Sequence, residues 1–362
     1  MGNCLPLIVG ICFFLFGIQL SVYGQDAQSN TIKYFATPTM DQNIAKVIRI
    51  PIDTGEVKSG TDTLYQLIDQ QNKPVSYYRE ILKEICFDRS CRILNVRLYW
   101  NPTGRYLGFE LPAKEFLSKA EHKPFVAQEY EQLHHILEDS LSALAGFRYE
   151  ELLPKRPVLG QIDAVTRPTS KDVLQYVVQG AVFTTYSMWH FVYGQMQIDV
   201  ENATQGNLTD GLLLDILNSP VPWDWTWGLE KLYLFNQASP VLKSRILEFM
   251  VSDSYSLAST AITQIPASWC EQLDFQNSLW ANFDEVEYSL KPDLIQKISE
   301  IDNPDKRILL ELAGKLKEFN GALLNVSLSC LKKFVSKYPE LLPEIQELAK
   351  HKNSYVAAQA KK

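Results

Sequence analysis

The period at which apolar residues recur changes along this chain, and that change limits the folds open to it. From Leu94 to Trp100 the period is two: Leu94, Val96, Leu98 and Trp100 fall on one side, Asn95 and Arg97 on the other. Such alternation marks a strand with one face on a core. From Thr209 onward apolar residues recur three or four apart, in segments starting near Pro240, Ser256, Leu290, Pro304, Gly321 and Pro339. Short loops with Pro, Asn or Asp separate these helical segments. A chain that passes from strand to helix periodicity in this way reads as α+β: a small antiparallel sheet with helices, followed by an all-α part.

The strand part reads as a meander. Ile81 to Cys86 runs into the loop Phe87–Ser90 and returns through Leu94–Trp100. Asn101-Pro102-Thr103-Gly104 is a turn signal, because Pro presets one dihedral and Gly accepts a positive one. A third strand then carries Leu107, Phe109 and Leu111 on its apolar face. Upstream, residues 25–63 are polar and weakly patterned, a loose lead-in with one strand around Lys46–Ile50. Helical spacing begins at Val126 and continues through Tyr130, Leu133, Leu137, Leu141 and Leu144, leaving Glu131, His134, His135 and Glu138 toward a solvated side. A polar linker, Asn202–Asp210, precedes the all-α part, whose segments suggest stacked antiparallel pairs of about 35–40 residues in a solenoid-like array. The expected boundaries are 1–24, 25–74, 75–200 and 209–362.

The N-terminus points to export. Leu5 to Leu20 is an almost uninterrupted apolar run, short for a bilayer span. Val22-Tyr23-Gly24 ends it with small residues at the cleavage positions, so residues 1–24 read as a signal peptide. The net charge of −7 lies wholly in the remainder, which has no basic cluster suited to nucleic acid and no second long apolar run to span a membrane. Four cysteines follow residue 24. Cys86 and Cys91 face each other across the base of the predicted hairpin, a disulfide arrangement in an oxidising compartment. Free thiols or part of a metal site are the other readings, but no Cys-x-x-Cys or clustered His completes a metal set. Cys270 and Cys330 read as small core residues.

The stretch Gly160-Gln-Ile-Asp163-Ala-Val-Thr166-Arg167-Pro-Thr169-Ser170-Lys-Asp172 precedes a predicted long helix running to about Tyr193, with Thr169 and Asp172 in capping-box spacing. It resembles the FMN-binding domain of flavin subunits in the sodium-pumping NADH–quinone reductase and related extracytoplasmic electron carriers. That family reads Asp-x-x-Ser/Thr-Gly-Ala-Thr here, and its last Thr carries FMN through a phosphoester. The resemblance, over roughly residues 75–195, implies Asp163 as the acid, Thr166 as the first hydroxyl and Thr169 as the flavin-bearing residue. Ser170 lies beside them, and a phosphate there would meet a helix N-terminus. Where the family has Gly-Ala, this chain has Arg167-Pro168. Pro stiffens the loop, while Arg167 offers a bidentate phosphate contact, so the resemblance implies FMN held either covalently at Thr169 or noncovalently.

Tyr186, Trp189, His190 and Tyr193 share one face of the predicted helix, as a core stripe or as a stacking surface for a flavin ring. His122, before Lys-Pro-Phe, reads as a loop residue or ligand contact. The motifs of hydrolases, zinc proteases, phosphate-binding loops and haem attachment do not occur. Two functions follow as expectations. One is an exported electron carrier using FMN; the other is a flavin-free binding or scaffold protein of a bacterial periplasm or cell envelope. In both, the helical repeats would meet a redox partner or envelope protein.

Overall fold

A computed structural model describes residues 31–52, 62–86, 91–152, 173–350 and 354–361. The signal peptide, the loop Phe87–Ser90 and the motif residues Asp163, Thr166, Arg167, Thr169, Ser170 and Asp172 lie outside the described residues. Six strands form one antiparallel sheet in the order β1-β6-β5-β4-β3-β2. They are β1 (Lys33–Phe35), β2 (Lys46–Ile52), β3 (Asp62–Ile68), β4 (Pro74–Lys83), β5 (Leu94–Trp100) and β6 (Tyr106–Glu110). Helices α1 (Ala127–Glu138), α2 (Val182–Val192) and α3 (Gln195–Gly206) follow, and then the helical region. The chain is therefore α+β with a helical C-terminal region. Contacts divide it into two compact units, residues 31–36, 82–97 and 108–186 in the first, and 37–81, 98–107 and 187–362 in the second.

In the first unit β1 pairs with β6, Tyr34 opposite Phe109 and Phe35 opposite Gly108. A Cβ at Gly108 would sit 2.1 Å from the Tyr34 carbonyl oxygen, so only glycine lets this strand approach. Helix α1 buries Tyr130, Leu133, His134 and Leu137. Glu129 accepts from the Val126 backbone N–H and receives the Lys119 ammonium, which fixes the helix start. Cys86 and Cys91 form a disulfide with Cα atoms 5.8 Å apart. Closing so short a loop stabilises by about 2 kcal/mol in the chain-entropy account.

The second unit contains the helical array. Its first helices are α4 (Asp210–Leu217), α6 (Pro240–Met250), α9 (Leu273–Ala281), α11 (Lys306–Lys315) and α13 (Leu342–Leu348). Its second helices are α5 (Pro222–Glu230), α7 (Tyr255–Gln264), α10 (Lys291–Glu300), α12 (Gly321–Phe334) and α14 (Ser354–Lys361); the short α8 (Ala267–Cys270) leads into α9. Equivalent helices start 30 to 36 residues apart. Second helices stack on second helices, α5 on α7, α7 on α10, α10 on α12 and α12 on α14, while α4 meets α6 and α11 meets α13. The hydrogen bonds joining successive pairs span similar sequence intervals of 31 to 34 residues: Trp269 Nε1 to Phe235 O, Trp280 Nε1 to Glu311, Lys297 Nζ to Ile265 O, Tyr338 OH to Pro304 O. One continuous cluster of buried Leu, Ile, Phe and Trp runs from Leu213 to Val356. Each pair alone leaves an apolar face that only its neighbour covers, which is the physical basis of repeat stacking.

Several expectations need correction. Within the described part of the lead-in the chain forms sheet rather than a single strand: β1, β2 and β3 precede Arg79, and β2 pairs with β3 along its whole length. Its alternation is hard to read because β2 is an edge strand whose residues stay exposed or half-buried. The predicted helix to Tyr193 is interrupted: Val173 is helical, residues 174–181 are turns and bends with Gly180 at φ +77°, and helix resumes at Val182–Val192. Helix α1 stops at Glu138, and Leu141 is solvent-exposed rather than part of its apolar stripe. The linker Asn202–Asp210 is helical as far as Gly206, because Thr204 is buried against a polar partner, the Tyr77 hydroxyl. The repeat is 30–36 residues rather than 35–40.

Candidate functional site

Of the flavin-site candidates named from the sequence, Trp189 falls among the described residues. It is 4 % exposed, and its ring meets His190 and Tyr193 at centroid distances of 5.0 and 4.8 Å. Tyr186 is also buried and donates its hydroxyl to the Phe147 carbonyl. His122 is exposed in a short turn at φ +58°. The two adjacent histidines separate as the 100° helical step demands, but not both to solvent. His135 is exposed beside Glu138 at 3.0 Å. His134 is buried between the Tyr34 and Phe109 rings, and burial holds its pKa below the ordinary value despite Glu138.

The strongest polar constellation was not visible as a motif. Asp224, near the start of α5, is fully buried and collects donors from three separate stretches of chain. Its Oδ1 accepts from Asn101 Nδ2 (2.6 Å), Thr103 Oγ1 (2.6 Å) and Arg105 Nε (3.2 Å). Its Oδ2 accepts from Thr39 Oγ1 (3.0 Å), Ser219 Oγ (2.6 Å) and Arg105 Nη2 (3.0 Å). Burial works to raise the carboxyl pKa, but the Arg105 guanidinium with the Ser219 and Thr103 hydroxyls outweighs it and holds the group below its usual value. The turn Asn101–Gly104 explains the local part: Asn101 Oδ1 accepts from the Thr103 and Arg105 backbone N–H groups, and Gly104 takes φ +77°. A second buried ion cluster joins β4 to α3, where Arg79 spans Asp62 and Asp199. The Asp224 cluster is enclosed with both carboxylate oxygens engaged, whereas in the second cluster Asp62 is partly exposed and the buried Arg79 Nε has no hydrogen-bond partner among the described residues; both hold elements together.

One surface is an open cleft of about 720 Å³ in the second unit, lined by Asp41, Asn43, Asp69, Gln71, Asp215 and Asn218 among others. Asp69 fixes its turn by accepting from the Gln71 and Lys73 backbone N–H groups at 2.8 Å, with Asn72 at φ +61°. Lys73 reaches across to Asp215 on α4. The lining of carboxylates and amides suits hydroxyl or amine donors. The other surface is an edge of the helical array. Trp223, Tyr255 and Tyr288 occupy equivalent places, at or just before the start of three successive second helices, and are 44, 57 and 47 % exposed. Exposed aromatic side chains repeating with the helix pairs are unusual for a face turned only to water. The sequence signal for this row was present, in residues 32 and 33 apart, but only the pairing of helices gives it meaning. No helix among the described residues is long and apolar enough to cross a membrane. No family model matches this chain, and no curated protein matches it.

Proposed function

We propose that this protein is an exported interaction platform, in which the stacked helix pairs present a repeating edge to a protein partner of the cell envelope. The observation that carries the reading is the row Trp223, Tyr255 and Tyr288, exposed at matching positions of consecutive pairs. Large aromatic side chains give much contact area for little lost freedom, and such residues dominate binding energy at interfaces. The Cys86–Cys91 disulfide fits an oxidising compartment. The test is site-specific photo-crosslinking in the producing cell, with the probe at position 223, 255 or 288 and a control probe at exposed Leu82. Discrete adducts from the three array positions and none from the control support the platform; equal or absent labelling refutes it.

A second reading is favoured by the stretch from Ile162 to Ser170: electron transfer outside the cytoplasm through FMN at or near Thr169. The flavin would supply the redox chemistry, with Asp163, Thr166, Arg167 and Ser170 holding its phosphate. Expression with the signal peptide in a host that has the flavin transferase tests it. A yellow product with an FMN-sized mass increment, lost in Thr169→Ala, supports this reading. A colourless protein indifferent to added FMN overturns it.

A further inference from the structure

The whole-chain charge of −7 conceals a strong asymmetry along the helical array. Residues 210–305, the first three helix pairs, carry fifteen acidic and five basic side chains, a net of −10. Residues 306–362, the last two pairs, carry five acidic and eleven basic side chains, a net of +6. The aromatic row lies in the acidic part, among exposed Asp253, Glu285 and Glu287, for which no ion pair forms among the described residues. In the basic part, Lys333 and Lys337 donate to neutral oxygens, those of Ser299 and Asn303, so their charge is not cancelled there. Lys350 is exposed beyond them.

We propose that the partner which fits the aromatic edge is a second copy of this chain, docked head to tail, its lysine-rich end on the acidic edge of its neighbour. This rests on the reading of the array as an interaction platform and names the partner. The array already uses this chemistry within one chain. Lys315, from the fourth pair, bridges to Asp284 of the third at 2.8 Å and lies over the Phe283 ring at 5.9 Å. Lys291 covers the same ring at 4.8 Å. A lysine over an aromatic face with a carboxylate beside it combines cation–π attraction with an ion pair. Tyr255 with Asp253, and Tyr288 with Glu285 and Glu287, offer two more such places, with Trp223 extending the aromatic row, and Lys333, Lys337 and Lys350 are the cations to fill them. Because the two surfaces differ, each copy keeps one of each free after pairing, and association is open-ended unless the rotation closes a ring.

Sedimentation velocity on the full exported chain tests this. At ~50 mM NaCl the average mass should rise with concentration, and at ~500 mM it should return to the monomer, because the screening length falls about threefold. The variants K333Q/K337Q/K350Q and D253N/E285Q/E287Q alter exposed side chains only, and unchanged melting temperatures establish that both fold. Each alone should self-associate more than tenfold more weakly. Mixed, they should form a heterodimer that grows no further, since one keeps only the acidic edge and the other only the basic end. A monomer at every salt concentration, or association that neither variant weakens, overturns the proposal. So does binding of the basic end to equal-part phosphatidylglycerol–phosphatidylcholine vesicles without self-association, which would assign that end to a membrane surface. If crosslinks at 223, 255 and 288 persist to other proteins while the chain stays monomeric, the platform stands and the self-docking alone fails.

Discussion

Replacing Asp224 by Asn should destabilise the second unit severely, although it changes one atom and no volume. Both carboxylate oxygens act as acceptors for three donors each, and Arg105 engages both. Whichever way the asparagine amide turns, its NH2 group meets an Arg105 N–H donor head-on, Nε on one side or Nη2 on the other, and the facing hydroxyls must turn from donating to accepting. The guanidinium, whose side chain is mostly buried, also loses its counter-charge. Breaking one side of a buried ion pair costs about 3–5 kcal/mol, and the hydroxyls that reorient add little to that figure, so about 4 kcal/mol is expected. That is roughly a thousandfold in the folding equilibrium. Urea unfolding followed by tryptophan fluorescence is the assay, since all seven tryptophans lie in the second unit. The double variant Asp224→Asn with Arg105→Met should lose clearly less than the sum of the two single losses. The folded pKa of Asp224 lies below its unfolded value. Its contribution is therefore present above the unfolded value and is lost as pH falls through the folded one. A loss below about 1 kcal/mol for Asp224→Asn would refute the argument, because no buried, paired carboxylate yields so little when its partner is left behind.

Other outcomes follow from the same structure. Arg79→Lys should lose about 3 kcal/mol by the same fluorescence assay, because an ammonium cannot span both Asp62 and Asp199 as the guanidinium does. Gly108→Ala should abolish hydrogen-exchange protection at Lys33–Phe35, since the added carbon displaces β1 from β6. His134 has a folded pKa depressed by burial, so the unfolded state takes its proton more readily. The first unit should then lose stability as pH drops below about 6.5, and His134→Phe should flatten that slope in thermal melts. Cys270 and Cys330, pushed up to about 11 and about 12 by burial, should resist iodoacetamide at neutral pH until denaturant is added.

Legibility followed the range of the interactions. Strand β5 could be read from seven consecutive residues because one face is buried and the other half-exposed along its whole length. The helix starts at Pro240, Lys291 and Lys306 were legible because proline or an acidic cap sits at or beside the first turn. The Cys86–Cys91 pairing needed only a hairpin, a local object. What stayed hidden depended on distant partners. Strand β1 exists because Gly108, more than seventy residues later, admits it. His134 is buried because Tyr34 and Phe109 arrive from elsewhere, and nothing in its own helix announces this. The Asp224 cluster assembles Thr39, Asn101, Thr103, Arg105 and Ser219, of which only the Asn101 turn carries a local signature. Gly180 broke a helix whose apolar spacing looked continuous, since periodicity cannot register a single dihedral.

The Asp224 cluster has one further consequence. It ties the first helix pair to the turn after β5, so the stack begins on a built foundation and is closed at that end. Among the described residues, no comparable buried polar cluster ties α13 or α14 to the sheet. With a core divided into near-equal lengths of chain, a whole pair inserted or lost beyond α10 would leave the foundation and the earlier joints unchanged. The helical array is in this sense a ruler set at the Asp224 joint, whose length can be altered by duplication or deletion of pairs without redesigning what holds that joint.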